Sequence, residues 1–464
     1  MDTQQLQLMV DGAAENLSVA GTAAAICHDG AEYYACHGVT SLENPLPVDQ
    51  DTLFQFGSTG KTYTATAVMR LVERGQVDLD APVRRYLPEF RLTDEQAARD
   101  VTVLHLLNHT AGWGGDLFTD TGWGDDALEK YVTKMADLEQ VSPVGTVVSY
   151  NNASLSLAGR VIEKVTGQSF ERAMAELVFG PVGLTHSYFF PNDVMTRRFV
   201  VGHTRRPDGT VQVARPWALP RNGNPAGGIS SNAGDLIRWA RFHLGDGLAH
   251  DGSRVLSAEL LRRMQQATAD CPGNAVGEAV GISWWLRDVD GVRLVSHGGN
   301  TIGQDSDFFM VPERDFAVVT LSNSSPNGSQ LNKQIGRWAL ETWLGVTDRD
   351  PEAVTLGQSE LSGYVGSYET IAGTIEITAV DGHLMATAKI KPEVLATLME
   401  SGEDEPDDPP IPLGLLPGPG DRCVVVDGPA KGMQGYFARS AGGEITGVHL
   451  GGRLATRVSS AAHS

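Results

Sequence analysis

The chain of 464 residues is 41% hydrophobic and 20% charged, with 53 Gly and 23 Pro, a globular composition that excludes both extensive disorder and a coiled coil. Its 57 acidic against 36 basic residues leave a formal charge of −21, which repels a phosphate backbone or an anionic bilayer, so neither nucleic acid nor membrane is expected as a partner. No basic segment followed by an apolar one opens the chain, and no stretch reaches the ~18 apolar residues of a membrane span; a cytoplasmic protein is expected. Cys27, Cys36, Cys271 and Cys423 are too scattered for a disulfide framework and form no zinc-type cluster, so free thiols, no metal and no cofactor are expected.

In chain order, residues 19–39 form two apolar runs around His28-Asp29-Gly30, which is hairpin chemistry. Cys27 and Cys36 flank this turn, yet counting outward from it does not set them opposite each other. From Thr59 to Glu73 the period becomes helical through Ala65, Val68, Met69 and Val72, and it is helical again over 153–179 through Leu157, Val161, Ile162, Val165 and Phe170. Short strand-type runs follow at 292–295, 306–311 and 316–321. Strands at both ends with helices between predict an α+β fold in which first and last strands share one sheet.

A polar, turn-rich stretch after Leu344 marks a domain boundary near 350–360, giving domains over 1–350 and 358–464. Beyond it the sequence is almost wholly strand-like. The runs Thr374–Val380 and Leu384–Ala388 around Asp381-Gly382 predict a hairpin in a small closed or sandwiched β-domain. The acidic, Pro-rich segment 403–410 is expected to be an exposed loop.

Three elements carry chemistry. Gly57-Ser58-Thr59-Gly60-Lys61 sets a serine at the start of a helix and a lysine three residues on, so both project on one face. A serine hydroxyl needs a base beside it, and Lys61 serves only if desolvated or coupled, because its ordinary pKa is about 10.4. Taken alone, so short a pattern is more often an N-cap followed by a solvated lysine. Ser149-Tyr150-Asn151-Asn152, ahead of the second helix, adds a phenol that can relay a proton and an amide that can orient Lys61 and a substrate carbonyl. Alone it is an ordinary helix cap. Ser296-His297-Gly298-Gly299-Asn300 puts paired glycines on a strand, where another backbone can approach and an N–H can face an oxyanion. Alone it is equally a bulge.

In this order and on these elements the three motifs resemble the serine β-lactamase and penicillin-binding-protein superfamily. Leu106-Leu107-Asn108-His109-Thr110-Ala111-Gly112, Glu163-Lys164-Val165-Thr166-Gly167 and Ala226-Gly227-Gly228-Ile229-Ser230-Ser231 are similar to further segments of that family, so the resemblance covers about residues 10–345. It implies a β-lactamase/transpeptidase-like catalytic domain, an antiparallel sheet flanked by helices with a helical subdomain. It also implies Ser58 as acylated nucleophile, Lys61 as base and Tyr150 as proton relay. Asn152, His297, Gly298, Gly299 and Asn300 would line the substrate site, with the backbone N–H groups of Ser58 and Asn300 as oxyanion hole. The opening of the second domain, 361–368, resembles the lipocalin-like barrels of some relatives, where the barrel narrows the cleft or joins subunits.

The third motif departs from the family's usual Lys-Thr-Gly, whose lysine helps hold a substrate carboxylate. His297 is neutral much of the time near pH 7, so carboxylate recognition is expected to be weak. Relatives of the class C branch, namely D-aminopeptidases, D-amino-acid amidases, alkaline D-peptidases and carboxylesterases, are the better match. Esterases often carry Trp in that place and peptidase-like members more commonly His. The expectation is a serine hydrolase on a peptide or amide bond of a small-molecule or short-peptide substrate, D-residues included. A carboxylesterase on short acyl esters is the alternative, and a non-catalytic scaffold or sensor is the reading from another class. Trp113, Trp123 and Trp217 are candidates to roof the cleft, core packing being their other role. Asp305 and Asp307 are candidates to bind a substrate ammonium, with solvated surface carboxylates the preferred reading. His109 is expected to be structural.

Overall fold

The computed structural model describes residues 2–206, 209–249, 251–380, 382–392, 394–395, 409–428 and 430–458. The acidic loop expected over 403–410 lies outside the described residues apart from Pro409 and Pro410.

Alternation along the strand Gly21–His28 sends Ala23, Ala25 and Cys27 to one face and Ala24 and Ile26 to the other, and both sets are buried in separate apolar cores. A strand buried on both faces belongs in the middle of a sheet with a layer on each side. One neighbour is Ala31–Gly38, joined through Asp29 and Gly30 with φ of 48° and 75°, the two positive φ values that a tight hairpin requires. The other is Phe316–Ser322, antiparallel, with Thr22 opposite Ser322 and Ala24 opposite Thr320. The sheet continues through Asp305–Val311, Val292–Ser296 and Trp285–Val289 to two short strands, and Gly299–Asn300 pairs at its edge with Asp305–Val311. The expected sharing of one sheet by first and last strands is what forms.

The helices Thr3–Leu17 and Asn327–Ala339 cover one face, burying Leu6, Val10 and Ala14 and Leu331, Ile335 and Ala339. On the other face lie Gly60–Glu73 and Ala233–Leu244, whose Tyr63 and Trp239 rings stack at 3.9 Å. The helical period expected over 153–179 is broken. Asn152–Thr166 ends on Gly167 at φ 69°, and a second helix starts at Phe170. Glycine fits that left-handed cap without a Cβ clash, and the periodicity of apolar residues runs through it unmarked.

Beyond the catalytic fold the chain forms a closed antiparallel barrel of eight strands, from Gly366–Glu369 to Arg453–Arg457, sealed where Tyr368 faces Arg457. Tyr368, Leu384, Leu413, Cys423, Val425, Phe437 and Val448 fill it. The hairpin between Gly373–Val380 and His383–Ile390 pairs in the expected register, Val380 against His383. Cys27 faces Glu32 and Cys36 faces Ala23 across their ladder, and all four cysteines are free.

Candidate active site

Ser58 sits in the single turn Gly57–Thr59 that leads into Gly60–Glu73. Lys61, on the first turn of that helix, is fully buried, with Nζ 2.9 Å from Ser58 Oγ and donating to the Ala226 carbonyl at 2.7 Å. Burial, reinforced by the cation of Arg453, holds its pKa well below the usual lysine range. An unprotonated amine beside a serine hydroxyl can take up its proton, which a solvated lysine at neutral pH cannot.

Tyr150 is fixed by the helix cap that follows it, Asn151 accepting from the Ser154 N–H at 2.8 Å. Ser58 is near enough to its phenol to act on it. Lys61 Nζ lies 4.8 Å from the ring centroid and the Arg453 guanidinium 4.9 Å, while His109 stacks on it at 4.7 Å and on Trp285 at 5.3 Å. Burial pushes the phenol above its ordinary pKa, Ser58 and Arg453 pull it back down, and Asp116 raises it further. The structure thus brings Ser58, Lys61 and Tyr150 into one contact group. The expected orientation of Lys61 by Asn152 is not what forms: the Asn152 amide donates to Asp116 at 2.9 Å, because Lys61 is already engaged by Ser58 and Ala226.

The paired glycines allow backbones to cross. A Cβ on Gly299 would lie 2.3 Å from the Phe56 carbonyl and 2.5 Å from the Ser58 nitrogen, and one on Gly57 would meet Asn300 at 2.5 Å. Thr59 Oγ1 donates to the His297 carbonyl at 2.8 Å and Ser306 Oγ to the Phe56 carbonyl at 2.7 Å, tying turn to strand. Thr301 N–H bonds to Gln304, so by antiparallel alternation the Asn300–Asp305 pair exchanges no ladder bond and the Asn300 N–H points off the sheet beside Ser58. A backbone N–H left without a ladder partner at this place can stabilise an oxyanion.

His297 is buried, with Nδ1 2.6 Å from the Gly298 carbonyl. A carbonyl only accepts, so Nδ1 carries the proton and Nε2 is bare. Burial first, then Lys61, pushes its pKa down to about 3. The ring is therefore neutral throughout the working range, more completely than its sequence position suggested.

Three further expectations change. Trp113 is core, packed on Phe90, and Trp217 bonds the Val200 carbonyl; of the three tryptophans only Trp123 lines the cleft. Asp305 is buried rather than solvated, because Gly328 of Asn327–Ala339 brings that helix down onto its strand. Burial raises both Asp305 and Asp307 to about 6. His109 is structural as expected, accepting from the Asn151 N–H at 3.1 Å. Sequence reasoning missed Asp116 and Arg453, which pair with each other at the site. Gly451-Gly452 signals a turn, but nothing in the sequence says where that turn docks. Among the described residues no group of three or more His, Cys, Asp or Glu side chains is arranged to hold a metal, and no helix is long and apolar enough to cross a membrane.

Ser58, Tyr150, Asn152, His297, Gly298, Gly299, Asn300 and Arg453 line one cleft of about 1780 Å³. The Beta-lactamase family model matches residues 6–341. The chain belongs to the beta-lactamase family. Within that family it is 38% identical over 308 residues to Penicillin-binding protein 4 of Amycolatopsis lactamdurans, covering 66% of this chain and 81% of that protein. The Beta-lactamase of Escherichia coli (strain K12) is 30% identical over 230 residues, 50% of this chain and 58% of its own, so the chain spans little more than half of that relative. The crystal structure of SurE superposes with a TM-score of 0.77 at 23% identity, over 98% of this chain and 99% of SurE, and a second structure holds SurE with D-Leu. That likeness extends the shared fold through the barrel. This beta-lactamase family member is a serine hydrolase of the penicillin-binding-protein and β-lactamase type.

Proposed function

We propose that the protein cleaves a peptide or amide bond of a small substrate containing D-residues, through an acyl-enzyme on Ser58. In this reading the catalytic unit spans 1–350 and the barrel 358–464. The observation that carries it is the fully buried Lys61 amine 2.9 Å from Ser58 Oγ. Ser58 Oγ attacks the carbonyl carbon as its proton passes to Lys61, directly or through Tyr150, and the new oxyanion lies between the Ser58 and Asn300 N–H groups. Each such donor is typically worth about 3–4 kcal/mol in the transition state. As the C–N bond breaks, Tyr150 and Lys61 return the proton to the leaving amine. Water then attacks the ester by the same route, giving its proton to the same pair and releasing the acid and free Ser58.

Two features support an amide over a β-lactam. His297 is uncharged and buried, so it supplies no cation for the carboxylate of a penicillin. The cleft runs on from Ser58 to Lys333, Asp350 and Gly432, which leaves room for a short peptide beyond the scissile bond. A D-residue is suggested by the structure of SurE with D-Leu.

The test is intact-mass spectrometry of wild type and Ser58→Ala after a fluorophosphonate probe, with parallel turnover of D-Ala-p-nitroanilide, L-Ala-p-nitroanilide, p-nitrophenyl acetate and nitrocefin. Labelling lost in Ser58→Ala, with D-anilide turned over in preference to the L-anilide and nitrocefin, is the expected result. Turnover confined to p-nitrophenyl acetate would replace the amidase reading by an esterase, and absence of labelling would sink the mechanism.

A further inference from the structure

One hairpin of the barrel reaches Tyr150. Leu450 faces Arg453 across Gly451 and Gly452, whose φ values are 54° and 81°, the double left-handed turn of a tight hairpin. This hairpin docks along residues 148–150 through three contacts. His449 Nε2 lies 3.0 Å from the Val148 carbonyl, the Gly452 carbonyl accepts from Tyr150 N–H at 2.8 Å, and Leu454 N–H donates to Ser149 Oγ at 3.2 Å. The next residue after the turn is Arg453. Its guanidinium grips both oxygens of Asp116 and lies 4.9 Å from the Tyr150 ring centroid, and Asp116 in turn holds Asn152. The Asp116 carboxylate is only 9% exposed and the Arg453 side chain 37%, so the ion pair is partly shielded from solvent.

We propose that Arg453 is a positioning residue of the active site, clamping the Tyr150 ring and the Asp116 carboxylate so that the C-terminal barrel completes the catalytic centre. This rests on the roles given above to Ser58, Lys61 and Tyr150. The groups facing Tyr150 and Lys61 are Arg453 and Asp116, with His109 stacked on the phenol and His297 6.3 Å from it. Both histidines are held neutral by burial, so the charges that act are those of Arg453 and Asp116. The cation of Arg453 lowers the pKa of Lys61 and of Tyr150, and the anion of Asp116 raises both. Burial does most to lower the pKa of the amine, and the pair adjusts it in opposite directions.

The sign of each substitution follows. Arg453→Met leaves Asp116 unopposed, so Lys61 holds its proton to higher pH and the ascending limb of kcat/KM moves up. Asp116→Asn leaves Arg453 unopposed and moves that limb down. Each displacement is expected to be up to about one pH unit.

The experiment measures kcat and KM against pH for wild type, Arg453→Met, Arg453→Lys and Asp116→Asn in the full chain, on whichever chromogenic substrate the wild type turns over, with fluorophosphonate labelling of each variant. Opposite displacements of the ascending limb by Arg453→Met and Asp116→Asn, with the wild-type limb restored in Arg453→Lys, are expected. A loss of rate uniform across pH, or a rise in KM alone, would overturn the proposal and leave Arg453 as a structural or substrate contact. If Arg453→Met does not fold, Asp116→Asn and Arg453→Lys carry the same decision. Failure of wild-type labelling at Ser58 would instead overturn the mechanism on which the proposal rests.

Discussion

Lys61 Nζ lies 2.9 Å from Ser58 Oγ and 2.7 Å from the Ala226 carbonyl, with the lysine side chain wholly out of solvent. Burial rather than a carboxylate partner sets its protonation. An amine whose pKa is lowered in this way gives up its proton more readily and can then serve as a base, whereas an ion-paired one would hold its own.

The first prediction concerns that amine. Lys61→Met is expected to lower kcat/KM by about 10²–10⁴-fold, the range typical of a removed general base, and to abolish the ascending limb of the pH–rate profile. In the wild type this limb should be centred well below the usual lysine pKa, because the active form is the deprotonated one and burial favours it. Steady-state kinetics from pH 5 to 10 read both.

Gly299→Ala tests the crossing of backbones. The added methyl would fall 2.3 Å from the Phe56 carbonyl and 2.5 Å from the Ser58 nitrogen, and neither is a side chain that can swing aside. The expected cost is about 1–3 kcal/mol of stability and, with the Ser58 N–H displaced, about 10²–10³ in kcat. Urea unfolding and kinetics separate the two losses. Wild-type activity in Gly299→Ala would show that the strand does not need to approach the serine turn so closely.

The neutrality of His297 makes a specificity prediction. Replacing it by a cation, His297→Lys, should raise nitrocefin turnover relative to D-Ala-p-nitroanilide by about tenfold, since a hydrogen bond to a charged group is worth about 1.5–3 kcal/mol. An unchanged ratio would mean that substrate carboxylates never reach this strand.

His243 gives a stability prediction. It is buried among Trp239, Phe242 and Trp284, both ring nitrogens lack a hydrogen-bond partner among the described residues, and desolvation pushes its pKa down from 6.5 to about 3. The unfolded chain therefore takes up a proton that the folded one refuses. The neutral ring's contribution to stability is complete above pH 6.5 and is lost as pH falls from there toward 3. Between pH 7 and pH 5 the single group costs about 2 kcal/mol. His243→Leu should remove that slope and stabilise the protein at pH 5 more than at pH 7, which urea unfolding at the two pH values measures. Asp305 and Asp307, raised to about 6 by burial, act oppositely. They favour the folded state below the ordinary carboxylate range and lose that effect as pH rises through 6, so the comparison must be made between variants.

The legible parts of the site were local. Ser58 and Lys61 share one helical turn, Tyr150 precedes its own cap, and Gly298-Gly299 marks a strand where backbones meet, so each could be placed from spacing alone. Their convergence came from the family resemblance, not from the residues themselves. The misplaced residues depend on packing between elements remote in sequence. Asp305 is buried by a glycine in the following helix, Trp113 by Phe90, and Asn152 is turned from Lys61 by Asp116. Arg453 lies beyond reach of any such reasoning, since the ion pair it forms spans 337 residues.

The ladder that sets Thr22 against Ser322, with Thr22 Oγ1 donating to a carbonyl 299 residues away, also governs when the molecule can first work. A ribosome emits Ser58 and Lys61 long before Asn300, and the strand that carries the opening of the chain has no central partner until residue 322 is made. Contacts of such long sequence separation close slowly, and until they do the serine turn lacks the Gly299–Asn300 strand that crosses it. Synthesis is in this sense its own safety catch, withholding the assembled site until the strand that ends at Ser322 has been made.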